Sequence, residues 1–293
     1  MSNYQSGIMQ GVPTMARYLT FSMLPGVELG EALERLAEIA DGDRVVVGVG
    51  VSLVKSLNRV VDGLWHFPVM SGPGLDVPST PAALWVWLRG DDRGDLLHLS
   101  REVESCVQSA FVIEDVVDSF KHGDSLDLTG YEDGTENPEG EAAEKAAFVS
   151  GVGSGQDGSS FVAVQQWQHD LDYFESLEEQ DQDHIIGRRR SDNEELDDAP
   201  VSAHVKRTAQ EDFDPEAFIL RRSMPWANEM SAGLYFVAFG ESFEAYEALL
   251  QRMVGMDDGV VDALFSISQP VSGAYFWCPP MKDDKLDLSA LGL

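Results

Sequence analysis

Apolar residues recur along this chain with two different spacings, and the spacings predict strands and helices. Residues 17–24 and the valine-rich residues 44–51 have the composition of strands, and residues 27–40 carry apolar side chains three and four positions apart, the helical period. Residues 84–90 predict a further strand, and the acidic and apolar residues 92–107 predict a helix. The first half is therefore predicted to run strand, helix, strand, strand, helix, strand.

The second half repeats part of this pattern. Residues 161–167 and 233–240 predict strands, and residues 242–253 predict a helix. The aromatic-rich strand, glycine turn and helix at 84–107 resemble those at 234–253, which indicates an internal duplication. We therefore predict an α+β fold of two halves, each an antiparallel sheet with helices on one face and with a pocket between sheet and helices.

A glycine- and serine-rich segment at residues 151–160 has little to bury and predicts a connection. It places the boundary between a first half, residues 1–150, and a second half, residues 151–293.

Composition narrows the class of partner. The 51 acidic and 20 basic residues give a net charge of −31, which repels phosphate backbones and anionic lipid surfaces, so we exclude nucleic acid and membranes as partners. The sequence shows neither a secretory signal pattern nor a long apolar run, and we expect a cytoplasmic protein. Cys106 and Cys278 have no spacing typical of zinc ligands, and we expect two reduced thiols.

Three polar residues lie in settings that favour chemistry. Asp133 lies in a turn bounded by glycine and proline, and His204 and Arg221 follow in the second half. An imidazole, a carboxylate and a fixed cation can supply a metal ligand, a proton carrier and charge stabilisation. Each residue alone also has an ordinary explanation: a turn-capping aspartate, a hydrogen-bonded histidine or a surface salt bridge.

A set of short motifs resembles the dye-decolorising peroxidases, in particular their cytoplasmic type B subgroup. The matches occur in the family's order and extend over most of the chain. They are Gly130-x-x-Asp133-Gly134 with Thr135 to Pro138, Gln166-Trp167-x-His169-Asp170-Leu171, Ile186-Gly187-Arg188, Ser202-x-His204, Arg221-x-Ser223-Met224-Pro225, Gly233-x-Tyr235-Phe236 and Pro270 to Phe276.

The resemblance implies a fold of duplicated ferredoxin-like halves, with a haem pocket mainly in the second half. It implies one haem b per chain, whose iron is bound by His204. Asp133 and Arg221 match the acid and the arginine on the distal face, and Arg188 matches a residue that pairs with a haem propionate.

The resemblance also assigns a carboxylate that hydrogen-bonds the iron-ligating histidine, and Asp262 occupies that position. Such a partner makes the imidazole more anionic and stabilises higher oxidation states of iron. Asp257 and Asp258 are neighbouring alternatives.

Three further residues are expected at the haem. Leu234 and Phe236 alternate on a predicted strand, so they share a face and would cover the distal side, although ordinary sheet core explains them equally well. Ser223 stands where other members carry an asparagine that can contact peroxide or its bound water. His169 is expected to be structural.

The function implied is a peroxidase that reduces hydrogen peroxide through a ferryl intermediate and oxidises organic donors (dyes, phenolics or porphyrinogens) by one-electron steps. The alternative is a haem-handling or iron-releasing protein. The family also implies a homo-oligomer, and residues 287–293 could mark cargo of an encapsulin-type nanocompartment. Four aromatic residues could carry an oxidising equivalent to the surface or simply pack in the core: Trp167, Tyr235, Trp226 and Trp277.

Overall fold

The computed structural model describes residues 3–293, in which eight α-helices accompany an extensive antiparallel sheet. The helices are α1 (Gly30–Ile39), α2 (Val51–Ser56), α3 (Arg93–Val107), α4 (Gly140–Ala147), α5 (Leu171–Ser176), α6 (Glu179–Ile186), α7 (His204–Arg207) and α8 (Glu244–Met253). Short 3-10 helices cover Ser6–Ile8, Gln210–Asp212, Ala263–Ser266 and Ser289–Leu291. Within this described part, no helix combines the length and apolar character needed to cross a membrane.

The first half contributes an antiparallel run of four strands. Six strands occur in this half, four of them in the run: β1 (Met15–Met23), β2 (Val45–Val49), β3 (Met70–Gly72), β4 (Leu75–Val77), β5 (Leu84–Gly90) and β6 (Phe111–Phe120). The order in the sheet is β2-β5-β1-β6, and β3 pairs with β4 in a separate hairpin. β1 therefore lies between two antiparallel neighbours.

The second half contributes a matching run. Its strands are β7 (Ser160–His169), β8 (Leu220–Arg221), β9 (Met224–Ala227), β10 (Ala232–Gly240), β11 (Ser268–Pro270), β12 (Ala274–Cys278), β13 (Met281–Lys282) and β14 (Lys285–Leu286). Here the order is β12-β7-β10-β9, with β8 on β10 and β11 on β7. All of these pairings are antiparallel.

The two runs join at both ends and close a ring of eight strands. One junction places Trp277 of β12 opposite Val49 of β2, and the other places Ser119 of β6 opposite Trp226 of β9. Each junction consists of a single residue pair, whereas pairing within each run is extensive.

Large aromatic side chains pack on one face of the ring. Tyr18 stacks on Tyr235 with ring centroids 3.9 Å apart, and Nε1 of Trp85 donates to the Tyr235 hydroxyl at 3.1 Å. The opposite face packs against α1, α3 and α8. Burial of each such side chain stabilises the fold by about 1.5–3 kcal/mol.

The predicted antiparallel sheets with packed helices are confirmed. The helix predicted over 27–40 begins at Gly30, and the strand predicted over 84–90 has those bounds. Short elements such as α2 and the β3–β4 hairpin were not predicted, because runs of three to six residues carry too little periodicity.

Candidate active site

A cavity of about 430 Å³ opens between the second-half sheet and α7 and α8. His204, Asp133 and Arg221 all line this cavity. Leu234 and Phe236 of β10 contribute apolar surface to the same cavity. Residues from three separate parts of the sequence thus meet in one space.

His204 is held by a buried carboxylate. Its Nδ1 lies 2.8 Å from Oδ2 of Asp262, whose side chain is fully buried. The other oxygen, Oδ1, accepts the backbone N–H of Leu264 at 2.8 Å and caps a 3-10 helix. The carboxylate therefore favours a proton on Nδ1, which leaves the Nε2 lone pair available. Within residues 3–293, no hydrogen bond occupies Nε2.

The two alternative acids have other partners. Asp258 makes two contacts of 2.8 Å with the guanidinium of Arg207, and Asp257 lies 4.0 Å from Arg252. The hydrogen bonds from Arg207 lower the pKa of Asp258 to about 2. The structure therefore places Asp262, of the three, against His204.

Asp133 and Arg221 form an ion pair in the cavity lining. Nη1 of Arg221 lies 3.3 Å from Oδ1 of Asp133, and each side chain keeps about a fifth of its surface exposed (20% and 18%). The Asp133 backbone N–H donates to the carbonyl of Ser125 at 3.0 Å, which fixes the turn. Gly134 has φ of 85°, a conformation that glycine adopts without strain.

Asn137 fastens this turn to the strand that carries Arg221. Its Oδ1 accepts the Arg221 backbone N–H at 2.8 Å, and its Nδ2 donates to the Arg221 carbonyl at 3.1 Å. No role was predicted for Asn137 from the sequence. Its place in the Asp133 to Pro138 motif was the available signal.

Arg188 follows the C-terminal end of α6 and lines the cavity. Gly187 ends α6 with φ of 94°, and Arg188 then contacts the carboxylate of Glu136 and donates to the Asn193 carbonyl at 2.9 Å. Its side chain also lies 4.0 Å from Glu195. Arg188 is thus a partly buried cation in the cavity lining, with acidic neighbours.

Ser223 lies apart from the large cavity. Its hydroxyl accepts the Val237 N–H at 3.3 Å, and it lines a second pocket of about 200 Å³. Asp133, Arg221 and Leu234 line both spaces and form the partition between them. Ser223 therefore lines the smaller pocket and not the large cavity, and its role at the haem stays a prediction.

His169 links the cavity wall to the turn that precedes Asp133. Its Nε2 lies 3.0 Å from Oδ1 of Asp127, and its Nδ1 lies 2.7 Å from the Ser268 hydroxyl. Burial tends to raise the pKa of Asp127, but hydrogen bonds from His169 and Thr129 outweigh it and the pKa is lowered. The sequence motifs predict a structural His169 but give no signal for its partners Asp127 and Ser268.

The donor set fits haem. A single imidazole offers a free Nε2 to a metal whose remaining ligands come from a porphyrin, and Arg188 offers a cation to a carboxylate substituent. The cavity volume falls in the range of cofactor pockets, about 300–1,000 Å³. Within residues 3–293, no cluster of three histidine, cysteine or acidic residues could hold a metal ion instead.

Comparisons with known proteins agree with this site. Residues 124–283 match the family model described as "Dyp-type peroxidase, C-terminal". A dye-decolorizing peroxidase of Rhodococcus erythropolis is 32% identical over 251 residues, which cover 82% of this chain and 73% of that protein.

Solved structures are similar over nearly the whole chain. A putative Dyp-type peroxidase from Shewanella oneidensis has a TM-score of 0.88 at 28% identity. The match covers 99% of this chain and 98% of the Shewanella chain. A variant of Rhodococcus jostii DypB in complex with heme has a TM-score of 0.83 at 26% identity. This match covers 93% of this chain and 94% of the DypB chain.

Fold and site together define a haem-dependent peroxidase. Its function is the reduction of hydrogen peroxide at the expense of organic donors. The chain belongs to the Dyp-type peroxidase family. Haem handling without turnover is not favoured.

Proposed function

We propose that His204 is the iron ligand and that Asp133 and Arg221 act on peroxide from the opposite wall. The observation that carries this proposal is that all three side chains line one cavity. When bound, haem supplies the iron that reacts with peroxide and holds the oxidising equivalents. The protein side chains carry out the proton transfer and the charge stabilisation.

Asp133 moves the proton. A carboxylate that is ionised at rest takes a proton from one peroxide oxygen and returns it to the other, which leaves as water. Arg221 stays cationic and stabilises negative charge that develops on the leaving oxygen. The 3.3 Å contact between Arg221 and Asp133 holds both charged groups in place before peroxide binds.

The other assigned residues position the cofactor. Asp262 holds the Nδ1 proton of His204 and increases the electron density of the ring. Arg188 would exchange part of its contact with Glu136 for a haem propionate. Leu234 and Phe236 exclude water from the distal side and so strengthen the charge interactions there.

We also propose that the fold arose by duplication of ferredoxin-like halves, with the boundary near residues 151–160, and that the chain belongs to the type B subgroup. The strand orders β2-β5-β1-β6 and β12-β7-β10-β9 support the duplication. In each half, the first and third strands by sequence lie in the middle of the run, as in a β-α-β-β-α-β unit.

We expect the enzyme to act in the cytoplasm as a homo-oligomer on dyes, phenolics or porphyrinogens, as the resemblance implies. The encapsulin-cargo hypothesis is weakened, because Leu288 and Leu291 of the proposed tail are buried in the core. Capture by a nanocompartment would have to displace them.

The test is spectroscopic. Wild type and His204→Ala are purified with haem supplied, and one equivalent of peroxide is added to each. We expect a Soret band in wild type that shifts with peroxide, and loss or weakening of haem binding in the variant. A His204→Ala protein that binds haem with an unchanged spectrum would contradict the assignment.

A further inference from the structure

A line of aromatic side chains leads from the cavity to the protein surface. Tyr246 of α8 lines the cavity, and its ring centroid lies 5.9 Å from that of Tyr275 on β12. Tyr275 stacks on Phe243 at 3.7 Å, and Phe243 lies 5.4 Å from Trp65. Trp65 is 38% exposed, so the line ends in a residue that a molecule in solution can touch.

The outer two oxidisable residues share one proton acceptor. Oε1 of Glu247 accepts Nε1–H of Trp65 at 2.8 Å and the hydroxyl of Tyr275 at 3.2 Å. An indole or phenol that loses an electron becomes strongly acidic, and a carboxylate at hydrogen-bond distance can take the released proton. Glu247 can therefore serve whichever of the two residues is oxidised.

The inner tyrosine has an acceptor of its own. The Tyr246 hydroxyl donates to Oε1 of the buried Gln165 at 2.6 Å. Burial raises the pKa of both Tyr246 and Tyr275, so both are neutral phenols at rest. Each therefore releases its proton only together with an electron.

We propose that Trp65 is a surface oxidation site, connected to the cavity through Tyr275 and Tyr246, for aromatic donors too large to enter the cavity. The proposal rests on the peroxide chemistry assigned to the cavity, which supplies the oxidant. It assigns a substrate-contacting role to a residue distant in sequence from every haem-site motif.

The electrons and protons balance along this line. Tyr246, which lines the cavity, gives one electron to the oxidant there and its phenolic proton to water in the cavity. An electron from Tyr275 and a proton from that water restore Tyr246, and the phenolic proton of Tyr275 passes to Glu247. Tyr275 then recovers an electron from Trp65 and its proton from Glu247, and Glu247 receives the indole proton. An aromatic donor finally returns one electron to the Trp65 radical, which takes back its proton from Glu247. The donor releases its own proton to solvent and leaves as a donor radical.

The four aromatic residues suggested from the sequence do not reach the protein surface. All four are 5% exposed or less: Trp167, Tyr235, Trp226 and Trp277. A bulky donor therefore cannot touch them. The acidic neighbour Glu247 and the net charge of −31 favour neutral or cationic aromatic donors at Trp65 over anionic ones.

Radical trapping tests the site directly. Haem-loaded wild type, Trp65→Phe and Tyr275→Phe are mixed with peroxide and a nitroso spin trap, and the adduct is located by peptide mass spectrometry. We expect an adduct on Trp65 in wild type and its loss in both variants. Tyr173→Phe is the control, because Tyr173 is also exposed (46%) but lies outside this line.

Steady-state kinetics supply the second readout. With a bulky cationic triarylmethane dye, we expect kcat/KM to fall at least about tenfold in Trp65→Phe and Tyr275→Phe, and to change less than about twofold in Tyr173→Phe. An adduct on other residues, together with wild-type dye oxidation by Trp65→Phe, would overturn the proposal. The peroxide-induced Soret shift is recorded in every sample, and its absence from wild type would instead mean that the cavity assignment has failed.

Discussion

The carboxylate of Asp262 lies 2.8 Å from Nδ1 of His204, and its side chain is fully buried. A buried carboxylate is costly unless it is hydrogen-bonded, and here both of its oxygens have partners. The pair therefore fixes the orientation of the imidazole and its tautomer before any cofactor binds.

Asp262→Asn should weaken the site without removing the ligand. An amide cannot supply the negative charge that makes the imidazole a stronger donor, so we expect haem affinity or peroxide reactivity to fall about 10–100-fold. The reduction potential of the bound iron should rise, as measured by spectroelectrochemistry. Asp257→Asn is the matched control, and an equal effect there would contradict the role of Asp262.

Arg221→Leu should slow the reaction with peroxide at least as much as Asp133→Asn. Charge stabilisation has no substitute in the cavity, whereas a water molecule can relay a proton. We expect a loss of about 10²–10³-fold in the second-order rate constant for Arg221→Leu, measured by stopped-flow mixing. Arg189→Leu changes an exposed arginine and serves as control; unimpaired reaction in Arg221→Leu would reverse the ranking.

Asn137→Ala should loosen the turn that carries Asp133. The substitution removes two hydrogen bonds to the Arg221 backbone, at a cost of about 1–3 kcal/mol in the free energy of unfolding. The Arg221 N–H loses its side-chain acceptor, whereas the Arg221 carbonyl still accepts from Nη1 of Arg222 at 2.9 Å. Denaturant unfolding measures this cost. Asn137→Asp keeps the acceptor for the Arg221 N–H, so a smaller loss is expected than for alanine.

Asp127 should contribute stability that depends on pH. Because its pKa is lower in the folded protein than in the unfolded chain, its contribution is complete above the unfolded value of about 3.9 and disappears as the pH falls through the folded value. Asp127→Asn should therefore cost about 1–3 kcal/mol at neutral pH and progressively less in acid. Unfolding curves at several pH values measure this cost, and Asp172→Asn, at an exposed position, is the control. A difference in stability between wild type and Asp127→Asn that does not change with pH would contradict the interpretation.

Leu291→Ala should destabilise the fold, although Leu291 is the third residue from the end of the sequence. The side chain is 2% exposed and belongs to the main core, so we expect a loss of about 2–5 kcal/mol. Leu293, which is 38% exposed, gives the control Leu293→Ala. Equal thermal stability of the two variants would indicate that residues 287–293 are free to bind a partner.

Sequence predicted much of this arrangement because the longer elements, such as the 7-residue β5 and the 15-residue α3, carry a readable period. The motifs also named residues that the structure brings together, including His204, Asp133 and Arg221. These groups are separated in the sequence but share one cavity, and only the family resemblance linked them in advance.

The remaining details depend on side-chain direction, which spacing does not determine. The resemblance assigned Asp262 to the imidazole but left its neighbours Asp257 and Asp258 as alternatives. In the structure, Asp258 lies on Arg207 and Asp262 on the imidazole. Ser223 is two residues from Arg221, yet it lies between two short strands and turns its hydroxyl towards Val237. The shared acceptor of Trp65 and Tyr275 requires the approach of segments about two hundred residues apart.

The single residue pairs that join the two strand runs have a consequence for assembly of the polypeptide. Since nearly all backbone bonding is internal to each run, a chain cut within residues 151–159 should yield two fragments that recognise each other through buried aromatic surface. Co-expression of such fragments should then restore an active enzyme by complementation, and haem binding would measure how much of it has assembled.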